Sequence, residues 1–372
     1  MISPKFMLDE LLRLGIVFYT GVPDSLMKNF LLYLDAQPDP VIHMPAANEG
    51  GAVALAAGYY LATNSCSLVY MQNSGLGNAV NPLLSLADPE VYSIPMVLLI
   101  GWRGEPGTSD EPQHVKQGRI TLDLLNAMEI PYEILPADEK KATEAIERCY
   151  AKAVAASAPA ALIARKSMFS QTPGGKKNSR PYTMSREDAV KIVVNALETE
   201  AVVLSTTGKL SRELYEYRKA TSSERVDFIT VGSMGHVSQI AIGVARGRPH
   251  RPVYCFDGDG SVLMHLGGLT VAGTCDLANF KHIIFNNGVH DSVGGQTTRG
   301  FQVDLRAIAT AANYRGTFYA DNKEQLRKQM TKLIQARGPA LLEIRVKAGS
   351  REDLGRPEEA MTDIKKRFMS QL

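Results

Sequence analysis

The sequence predicts an α/β protein made of two doubly wound domains, each with a mainly parallel sheet. Short apolar runs of strand length alternate with longer amphipathic segments along most of the 372 residues. A segment rich in glycine, proline and charge, residues 170–184, interrupts the alternation near the middle of the chain. The alternation then restarts, and the length suits two ordinary domains. We therefore predict domains at 1–169 and 185–372, joined by a linker at 170–184.

The first half contains the elements of one such domain. Amphipathic segments predict helices over about 4–14, 24–36, 48–63 and 76–87. Apolar runs between and after them predict buried strands of a parallel sheet. These runs read VFYTG, VIHM, SLVYMQ, PMVLLIGW and PAALIAR.

The second half repeats this organisation. It opens with SREDAVKIVVNAL, in which Ser185 precedes an apolar-periodic segment in the manner of a helix N-cap. Five further apolar runs predict strands. These runs read AVVLST, DFITV, PVYCF, KHIIF and LLEIRV.

Composition argues against several functional classes. The formal net charge of +2 gives no reason to expect a nucleic-acid or membrane partner. No apolar run is long enough to span a bilayer, and the first residues lack the apolar core of a signal peptide. The four cysteines show no CxxC spacing, which favours buried free thiols over disulfides. We therefore expect a cytoplasmic protein that binds neither nucleic acid nor membrane.

Residues 252–289 carry the most informative motif of the chain. An apolar run ends in Gly258-Asp259-Gly260, a helix-like segment follows, and a second apolar run ends in Asn286-Asn287-Gly288. Such a βαβ unit returns its second strand parallel to the first, so Asp259 and Asn287 both follow carboxyl ends of strands, where α/β sheets bind ligands. A carboxylate, an amide oxygen and the nearby Val289 carbonyl suit Mg²⁺ or Ca²⁺. The alternative is a tight turn that merely uses glycine's access to positive φ.

The GDG at 258–260 and the NN at 286–287 resemble the signature of the thiamine-diphosphate-dependent enzymes. The resemblance implies that Asp259, Asn287 and the Val289 carbonyl bind Mg²⁺, which holds the diphosphate of the cofactor. It also implies that Gly258, Gly260 and Ser261 form the diphosphate site, where a helix N-terminus favours an anion. It covers essentially the whole chain, so that 1–169 becomes a pyrimidine-binding domain and 185–372 a diphosphate-binding domain.

Glu49 is the candidate for activating this cofactor. The family places a glutamate before a helix of small residues, where its carboxylate contacts N1′ of the aminopyrimidine and promotes the imino form. Here HMPAANEGGAVALAAGYYLAT offers Glu49 in that place. The alternative is a glutamate that only complements the dipole of its helix.

The turn at 232–235 is the candidate for bending the cofactor. The family carries a bulky apolar residue there, and Gly232-Ser233-Met234-Gly235 supplies Met234. These residues are therefore expected to bind the cofactor. The alternative for Met234 is ordinary core packing.

Several loops narrow the resemblance to the branch of 2-keto acid decarboxylases that act on phosphonopyruvate. The strings concerned are GVPDSL, QNSGLGNAVNPLLSL, GWRGEPGTSDEPQH, STTGKLSREL and NNGVHDSVGGQTT. The resemblance implies a carboxy-lyase that forms phosphonoacetaldehyde and CO₂ in phosphonate biosynthesis. The branch that acts on sulfopyruvate shares part of this layout, so sulfopyruvate or another anionic 2-keto acid stays an alternative.

Two residues match family positions near the reacting carbon. Asp24 lies in GVPDSL and His114 in SDEPQH, and each is a candidate proton donor. Asp24 is equally suited to capping the helix predicted at 24–36. His114 is placed by the sequence in a long irregular loop, where functional residues concentrate.

The substrate of this branch bears two anionic groups, which cations and hydrogen-bond donors must receive. Six further residues are candidates for binding it, because they lie beside the predicted strand ends or the metal motif. They are Ser25, Gln72, Arg103, Lys209, His290 and Asp291. The alternative for a lone lysine or arginine is a solvated surface charge.

The resemblance also implies an assembly. In the family, the glutamate of one domain and the metal ligands of the other meet across a subunit interface, so at least a homodimer is expected. A non-catalytic thiamine-diphosphate-binding subunit is the alternative from a different class, and it would lack Glu49 or the metal ligands. A nicotinamide dehydrogenase is disfavoured because no early GxGxxG turn is present.

Overall fold

A computed structural model describes residues 1–171, 182–221 and 227–372. The chain divides into two compact units, Met1–Asn178 and Ser179–Leu372, and each is built on a six-stranded parallel sheet. The predicted fold class is therefore confirmed. Most of the linker predicted at 170–184 lies outside the described residues, so the predicted domain bounds stay a prediction.

The first unit alternates strands and helices as the sequence predicts. Its strands are β1 (Phe18–Gly21), β2 (Ile42–Pro45), β3 (Ser67–Gln72), β4 (Met96–Gly101), β5 (Tyr132–Ile134) and β6 (Pro159–Ala164). Its helices are α1 (Pro4–Arg13), α2 (Lys28–Leu34), α3 (Glu49–Thr63), α4 (Leu76–Pro82), α5 (Pro112–Ala127) and α6 (Glu139–Ala156). The order across the sheet is β2-β1-β3-β4-β6-β5. All neighbouring strands pair in parallel.

Burial explains which strands of this unit the sequence reveals. All residues of β4 and β6 are buried, because apolar clusters cover both faces of the sheet. Such strands read as continuous apolar runs. The edge strand β5 has only three half-buried residues, which left no such run to recognise.

The second unit has the same construction. Its strands are β7 (Val202–Ser205), β8 (Asp227–Ile229), β9 (Val253–Gly258), β10 (Phe280–Asn286), β11 (Val289–His290), β12 (Gln296–Thr297), β13 (Gly316–Ala320) and β14 (Ala340–Arg345). Its helices are α7 (Arg186–Ala196), α8 (Lys209–Ala220), α9 (Val237–Gly247), α10 (Asp259–Met264), α11 (Gly268–Thr274), α12 (Leu305–Ala311), α13 (Lys323–Gln335) and α14 (Met361–Gln371). The order across the sheet is β13-β14-β10-β9-β7-β8, and β11 and β12 form a separate antiparallel ribbon.

The predicted βαβ unit forms the centre of this second sheet. β9 and β10 are parallel neighbours, and Phe285 lies opposite Gly258 in their register. Both strands are almost wholly buried between two apolar clusters. The residues that follow the two strands, Asp259 and Asn287, therefore leave the same edge of the sheet side by side.

Two local predictions in the first unit need correction. His114 lies in the first turn of α5 and not in an irregular loop, because Pro112 starts the helix, a position that proline favours. The helix predicted at 24–36 divides into a single 3₁₀ turn at Ser25–Met27 followed by α2. The cap predicted for Asp24 is present, since its side chain accepts from the Leu26 N–H at 3.1 Å.

The cysteines agree with the expectation of free thiols. All four cysteines are free, and three of them are buried: Cys66, Cys149 and Cys255. Among the described residues, none of the helices is both long and apolar enough to cross a membrane.

Candidate active site

The metal motif forms a compact group of polar atoms at the carboxyl edge of β9 and β10. Asp259 and Asn287 are only 2% and 3% exposed. The Asn287 N–H donates to Asp259 Oδ1 at 3.4 Å, and the Thr298 hydroxyl donates to Asp259 Oδ2. The predicted ligands Asp259 and Asn287 are therefore brought together, and Thr298, which sequence reasoning missed, joins them.

Each asparagine of the NN pair has its side-chain amide fixed from both ends. Asn287 Nδ2 donates to Asp291 Oδ2 at 2.6 Å, while Asn287 Oδ1 accepts from the Val289 N–H at 3.1 Å. Asn286 Nδ2 donates to Glu343 Oε1 at 2.9 Å, while Asn286 Oδ1 accepts from the Gly288 N–H at 3.1 Å. Each amide NH₂ group thus donates to a carboxylate, Asp291 for Asn287 and the fully buried Glu343 for Asn286.

Glycines are required where backbone passes close to these polar atoms. A Cβ at residue 300 would lie 2.4 Å from Asp259 Oδ2 and 2.7 Å from Asn286 Oδ1. A Cβ at residue 260 would lie 2.8 Å from the His290 ring. Any larger residue at position 300 would collide with the side chains of Asp259 and Asn286, and at position 260 with the His290 ring.

A buried polar chain lies beneath the turn that starts at Gly258. The Asp257 carboxylate accepts from the Gly258 N–H at 2.9 Å and lies 3.3 Å from His282 Nε2. On its other side, His282 Nδ1 lies 3.2 Å from the Tyr314 hydroxyl. These side chains are almost fully buried, so they fix the end of β9 from inside the core.

Ser261 connects the two predicted cofactor segments of this unit. Its hydroxyl accepts from the Gly235 N–H at 3.1 Å and lies 3.0 Å from the Thr206 hydroxyl. The 232–235 turn, with Ser233 at a φ of 51°, is therefore held against the start of α10. Met234 is half-buried in this turn.

Asp291, which follows the NN pair, is hydrogen-bonded to other groups of the protein. The Asp291 carboxylate accepts from Arg186 Nη1 at 2.9 Å, and from the Gly349 N–H as well as from Asn287. Burial lowers the pKa of His290 to about 4, so its ring is neutral at pH 7.

Lys209 is the first residue of α8, and its N–H donates to the Ser292 hydroxyl at 3.3 Å.

Glu49 is a buried carboxylate at the start of α3. The Asn48 side chain caps this helix, and Glu49 itself is 5% exposed. Asn78 Nδ2 donates to Glu49 Oε2 at 2.8 Å, and Gly75 approaches so closely that a Cβ there would lie 2.4 Å from Oε1. Burial raises the pKa of Glu49, against the opposing effect of the Asn78 hydrogen bond.

Asp24 and Arg103 belong to one charged group in the first unit. The Arg103 guanidinium binds both carboxylate oxygens of Asp110, and its Nη1 donates to the Ser25 hydroxyl at 2.8 Å. Asp24 is fully buried, and this burial raises the pKa of its carboxyl to about 6 against the attraction of the nearby Arg103 charge. Among the described residues, Asp24 Oδ1 accepts no hydrogen bond.

His114 lies in the electrostatic field of the same group. Partial burial lowers the pKa of His114 to about 4, and the Arg103 charge adds to this. Its Nδ1 is buried and has no hydrogen-bond partner in the described part of the chain. Gln72 lies at the end of β3 and donates to the Ser74 hydroxyl at 2.6 Å.

Sequence reasoning missed most of the partners that hold these candidates in place. Asp110 is seven residues from Arg103, and no pattern in the loop between them marks it as the partner of this arginine. Asn78 and Glu343 are 29 and 57 residues from the groups they bind, and no local pattern marks such pairs. A buried arginine in the SRED helix start, Arg186, gave no signal because the string reads as an ordinary exposed N-terminus.

Comparison with known proteins identifies both units. Residues 4–127 match the N-terminal TPP binding domain of the thiamine pyrophosphate enzymes, and residues 206–344 match their C-terminal TPP binding domain. The chain therefore belongs to the thiamine pyrophosphate enzyme family, as the GDG and NN motifs predict. The thiamine-diphosphate-binding type of both domains is confirmed.

Several proteins similar to this chain are decarboxylases. Phosphonopyruvate decarboxylases of Streptomyces viridochromogenes and Streptomyces hygroscopicus are 34% and 35% identical to the chain, over 99% of its length and over 94% and 93% of their own. A sulfopyruvate decarboxylase of Methanosarcina acetivorans is 28% identical over 94% of the chain and 92% of its own length. The predicted resemblance to the phosphonopyruvate branch is thus confirmed, with sulfopyruvate decarboxylases as further relatives.

Replacing Asp24 with asparagine should change the pH dependence of stability. The pKa of the folded state, about 6, exceeds the ordinary value of 3.8, so wild-type stability falls as pH rises from 3.8 to about 6. An asparagine side chain does not ionise. The free energy of unfolding of Asp24→Asn, relative to that of the wild type, should therefore rise by about 2–3 kcal/mol between pH 4 and pH 7.5. Denaturant unfolding at several pH values measures this, with Asp123→Asn at an exposed site as the control. A difference that is the same at every pH would contradict it.

Proposed function

We propose that this enzyme is a carboxy-lyase that uses thiamine diphosphate and Mg²⁺ to convert 3-phosphonopyruvate to phosphonoacetaldehyde and CO₂. The observation that carries the proposal is the buried oxygen group of Asp259 and Asn287 at the ends of two neighbouring strands. The names of two relatives that align over almost the whole chain support the substrate. The reaction places the enzyme in phosphonate biosynthesis.

The residues present fit this cofactor. Asp259 and Asn287 offer a carboxylate and an amide oxygen, which with the Val289 carbonyl form a hard-oxygen set for Mg²⁺. Glycine at 260 and 300 leaves space at this group that a Cβ would fill. Asp259, Asn287 and Val289 would hold the metal, while Gly258, Gly260 and Ser261 would receive the diphosphate.

Thiamine diphosphate, when bound, supplies a thiazolium carbon that adds to the 2-keto carbon and accepts the electron pair released with CO₂. Glu49 would hold a proton at the aminopyrimidine ring. Its raised pKa favours this role, because a buried carboxyl shares a proton with a ring nitrogen more readily than an exposed carboxylate does. The Asn78 hydrogen bond and the close approach of Gly75 fix the carboxyl in one place.

Asp24 is the better candidate for the proton donor. A donor works best when its pKa lies near the working pH, and the pKa of Asp24 is about 6. His114, with a pKa near 4, is neutral at pH 7 and holds no imidazolium proton to give. We therefore assign proton delivery to Asp24 and hydrogen bonding to His114.

Lys209 is the stronger candidate for binding the phosphonate. It starts the twelve-residue α8, whose first N–H groups favour an anion, and Gly208 before it provides no side-chain cap. Asp110 partly neutralises the Arg103 guanidinium. Arg103 would therefore orient the substrate by hydrogen bonds more than it would attract the substrate by charge. Ser25, Gln72 and His290 would add neutral hydrogen bonds.

We further propose that the enzyme works as a homo-oligomer, at least a dimer. α3 is apolar on most of its surface, although one face is exposed. That face borders a groove lined by Phe18, Met44, Gly51, Ala54, Leu55, Gly58 and Tyr59. A helix that is apolar all round is normally buried, and a second copy is the occupant that the family resemblance implies.

Changing Leu55 to aspartate tests this assembly. Leu55 is 37% exposed in a single copy, so the aspartate should leave the fold intact while placing a charge in the contact between copies. Size-exclusion chromatography with light scattering should show an oligomer for the wild type and a shift to monomer for Leu55→Asp. Val154→Asp, at an exposed apolar residue of α6, is the control. A monomeric wild type would contradict the proposal.

Changing Glu49 to glutamine should abolish most turnover and leave cofactor binding intact. The loss should be of order 10²–10⁴-fold, the range for a removed general acid or base. Turnover and calorimetric binding of thiamine diphosphate measure the two effects. Glu139→Gln is the matched control, because Glu139 also starts a helix behind a capping side chain but is exposed. Near-normal turnover of Glu49→Gln would remove Glu49 from the mechanism.

Changing Lys209 to alanine should impair phosphonopyruvate more than pyruvate. Pyruvate lacks the phosphonate, so only the first substrate loses a charge-assisted contact, worth about 1.5–3 kcal/mol or roughly 10–150-fold in kcat/KM. Arg103→Ala should show the same direction with a smaller difference. Lys323→Ala, at the exposed first residue of α13, is the control. Equal losses on both substrates would exclude Lys209 from the phosphonate site.

Steady-state turnover on phosphonopyruvate, sulfopyruvate and pyruvate, with thiamine diphosphate and Mg²⁺ present, tests the function itself. The highest kcat/KM on phosphonopyruvate is the expected result. A preference for sulfopyruvate would favour the alternative that the Methanosarcina relative represents. Cofactor binding without turnover of any 2-keto acid would indicate a non-catalytic subunit.

A further inference from the structure

We propose that Asp291, held in place by Arg186, is a positioning residue that selects the metal-binding orientation of the Asn287 amide. This inference rests on the proposed metal site and adds a cause for its geometry. It also differs from the role in substrate binding that the sequence predicts for Asp291. Its basis is a continuous set of hydrogen bonds from α7 to the metal motif.

The first step is the orientation of the amide. An ionised carboxylate only accepts hydrogen bonds, so Asp291 Oδ2, 2.6 Å from the Asn287 amide, must face its Nδ2. The Val289 N–H only donates, and it lies 3.1 Å from Oδ1. A flipped amide would place oxygen against carboxylate and NH₂ against N–H. Both neighbours therefore favour the same orientation.

The second step is what this orientation does for a cation. An amide oxygen has two lone pairs, so the hydrogen bond from Val289 leaves it able to coordinate a metal. The amide NH₂ group has no such capacity and carries partial positive charge. The Asn287 backbone N–H on Asp259 Oδ1 places this residue next to that carboxylate. Only the observed orientation gives the amide an oxygen to offer as a second ligand.

The third step is the support of Asp291 itself. Arg186 is 5% exposed, and its guanidinium binds Glu213 with two nitrogens at 2.8 and 2.9 Å and Asp291 with the third at 2.9 Å. The Gly349 N–H donates to the same carboxylate at 3.1 Å. Asp291, whose side chain is 10% exposed, thus has its charge compensated and its position fixed.

The hydrogen bonds that Asp291 accepts are already supplied by the protein, with no substrate needed. Three groups of the protein, Arg186, Asn287 and Gly349, already donate to its two oxygens. A phosphonate or a second carboxylate would meet a like charge there. Asp291 is therefore suited to orienting a ligand of the metal and unsuited to binding an anionic substrate.

The test measures the Mg²⁺ dependence of thiamine diphosphate binding to the full chain by isothermal titration calorimetry. Outer partners of metal ligands typically contribute 10–100-fold to metal affinity. Asp291→Ala should raise the Mg²⁺ concentration for half-maximal binding by such a factor. Glu213→Gln is the matched control, because Glu213 binds the same arginine through its other two nitrogens, and it should change this concentration much less. An unchanged Mg²⁺ requirement in Asp291→Ala would overturn the inference.

If Asp291→Ala does not fold, a second test exchanges the donor and the acceptor of the hydrogen bond between residues 287 and 291. Asn287→Asp alone places two carboxylates against each other and should bind Mg²⁺ weakly. The double variant Asn287→Asp with Asp291→Asn restores one donor and one acceptor in reversed order, and it should recover binding. If Asn287→Asp alone binds Mg²⁺ at least as tightly as the double variant, Asp291 does not orient the ligand.

A separate pair of measurements tests the metal site on which the inference rests. Wild type should bind thiamine diphosphate only with Mg²⁺ present, and Asp259→Ala should not, while Asp353→Ala at an exposed carboxylate should behave as wild type. Equal binding by Asp259→Ala would refute the proposed metal site. Normal Mg²⁺-dependent binding by wild type with no effect at residue 291 would refute only the role of Asp291.

Discussion

The parallel pairing of β9 and β10 is the constraint on which the rest of the second unit depends. Because Phe285 lies opposite Gly258, the two strands end at the same level and Asp259 and Asn287 emerge together. A shift of this register by one residue would separate the two polar groups and turn every buried side chain of the strand to the other face. Apolar clusters on both faces of the sheet hold the register.

The sequence was sufficient to predict what is local or periodic. Apolar runs located the central strands, and the GDG and NN strings located the turns that follow two of them. It was insufficient for elements whose own residues show no clear apolar pattern. The short edge strand β5 lacks a full apolar run, and α5 was missed because its polar first turn, which contains His114, reads like loop.

The candidate site divides in the same way. Asp259 and Asn287 were recognisable as candidates by the GDG and NN motifs, and Glu49 and Asp24 by the family positions that they match. Their burial, and the direction of each pKa that follows from it, depends on packing that a single sequence does not express. The carboxylates that orient the NN pair come from residues 291 and 343, and only the folded sheet brings Glu343 to Asn286.

The contact of Arg186 with Glu213 and Asp291 sets a boundary for dividing this chain. Arg186 is the first residue of α7, far in sequence from the metal motif, yet its guanidinium is buried against both carboxylates. A fragment that starts after α7 would retain the whole GDG–NN segment. It would leave the carboxylates of Glu213 and Asp291, which are 1% and 10% exposed, without the arginine that compensates their charge. The smallest piece able to carry this site must therefore include α7, together with the Ser185 cap that starts it.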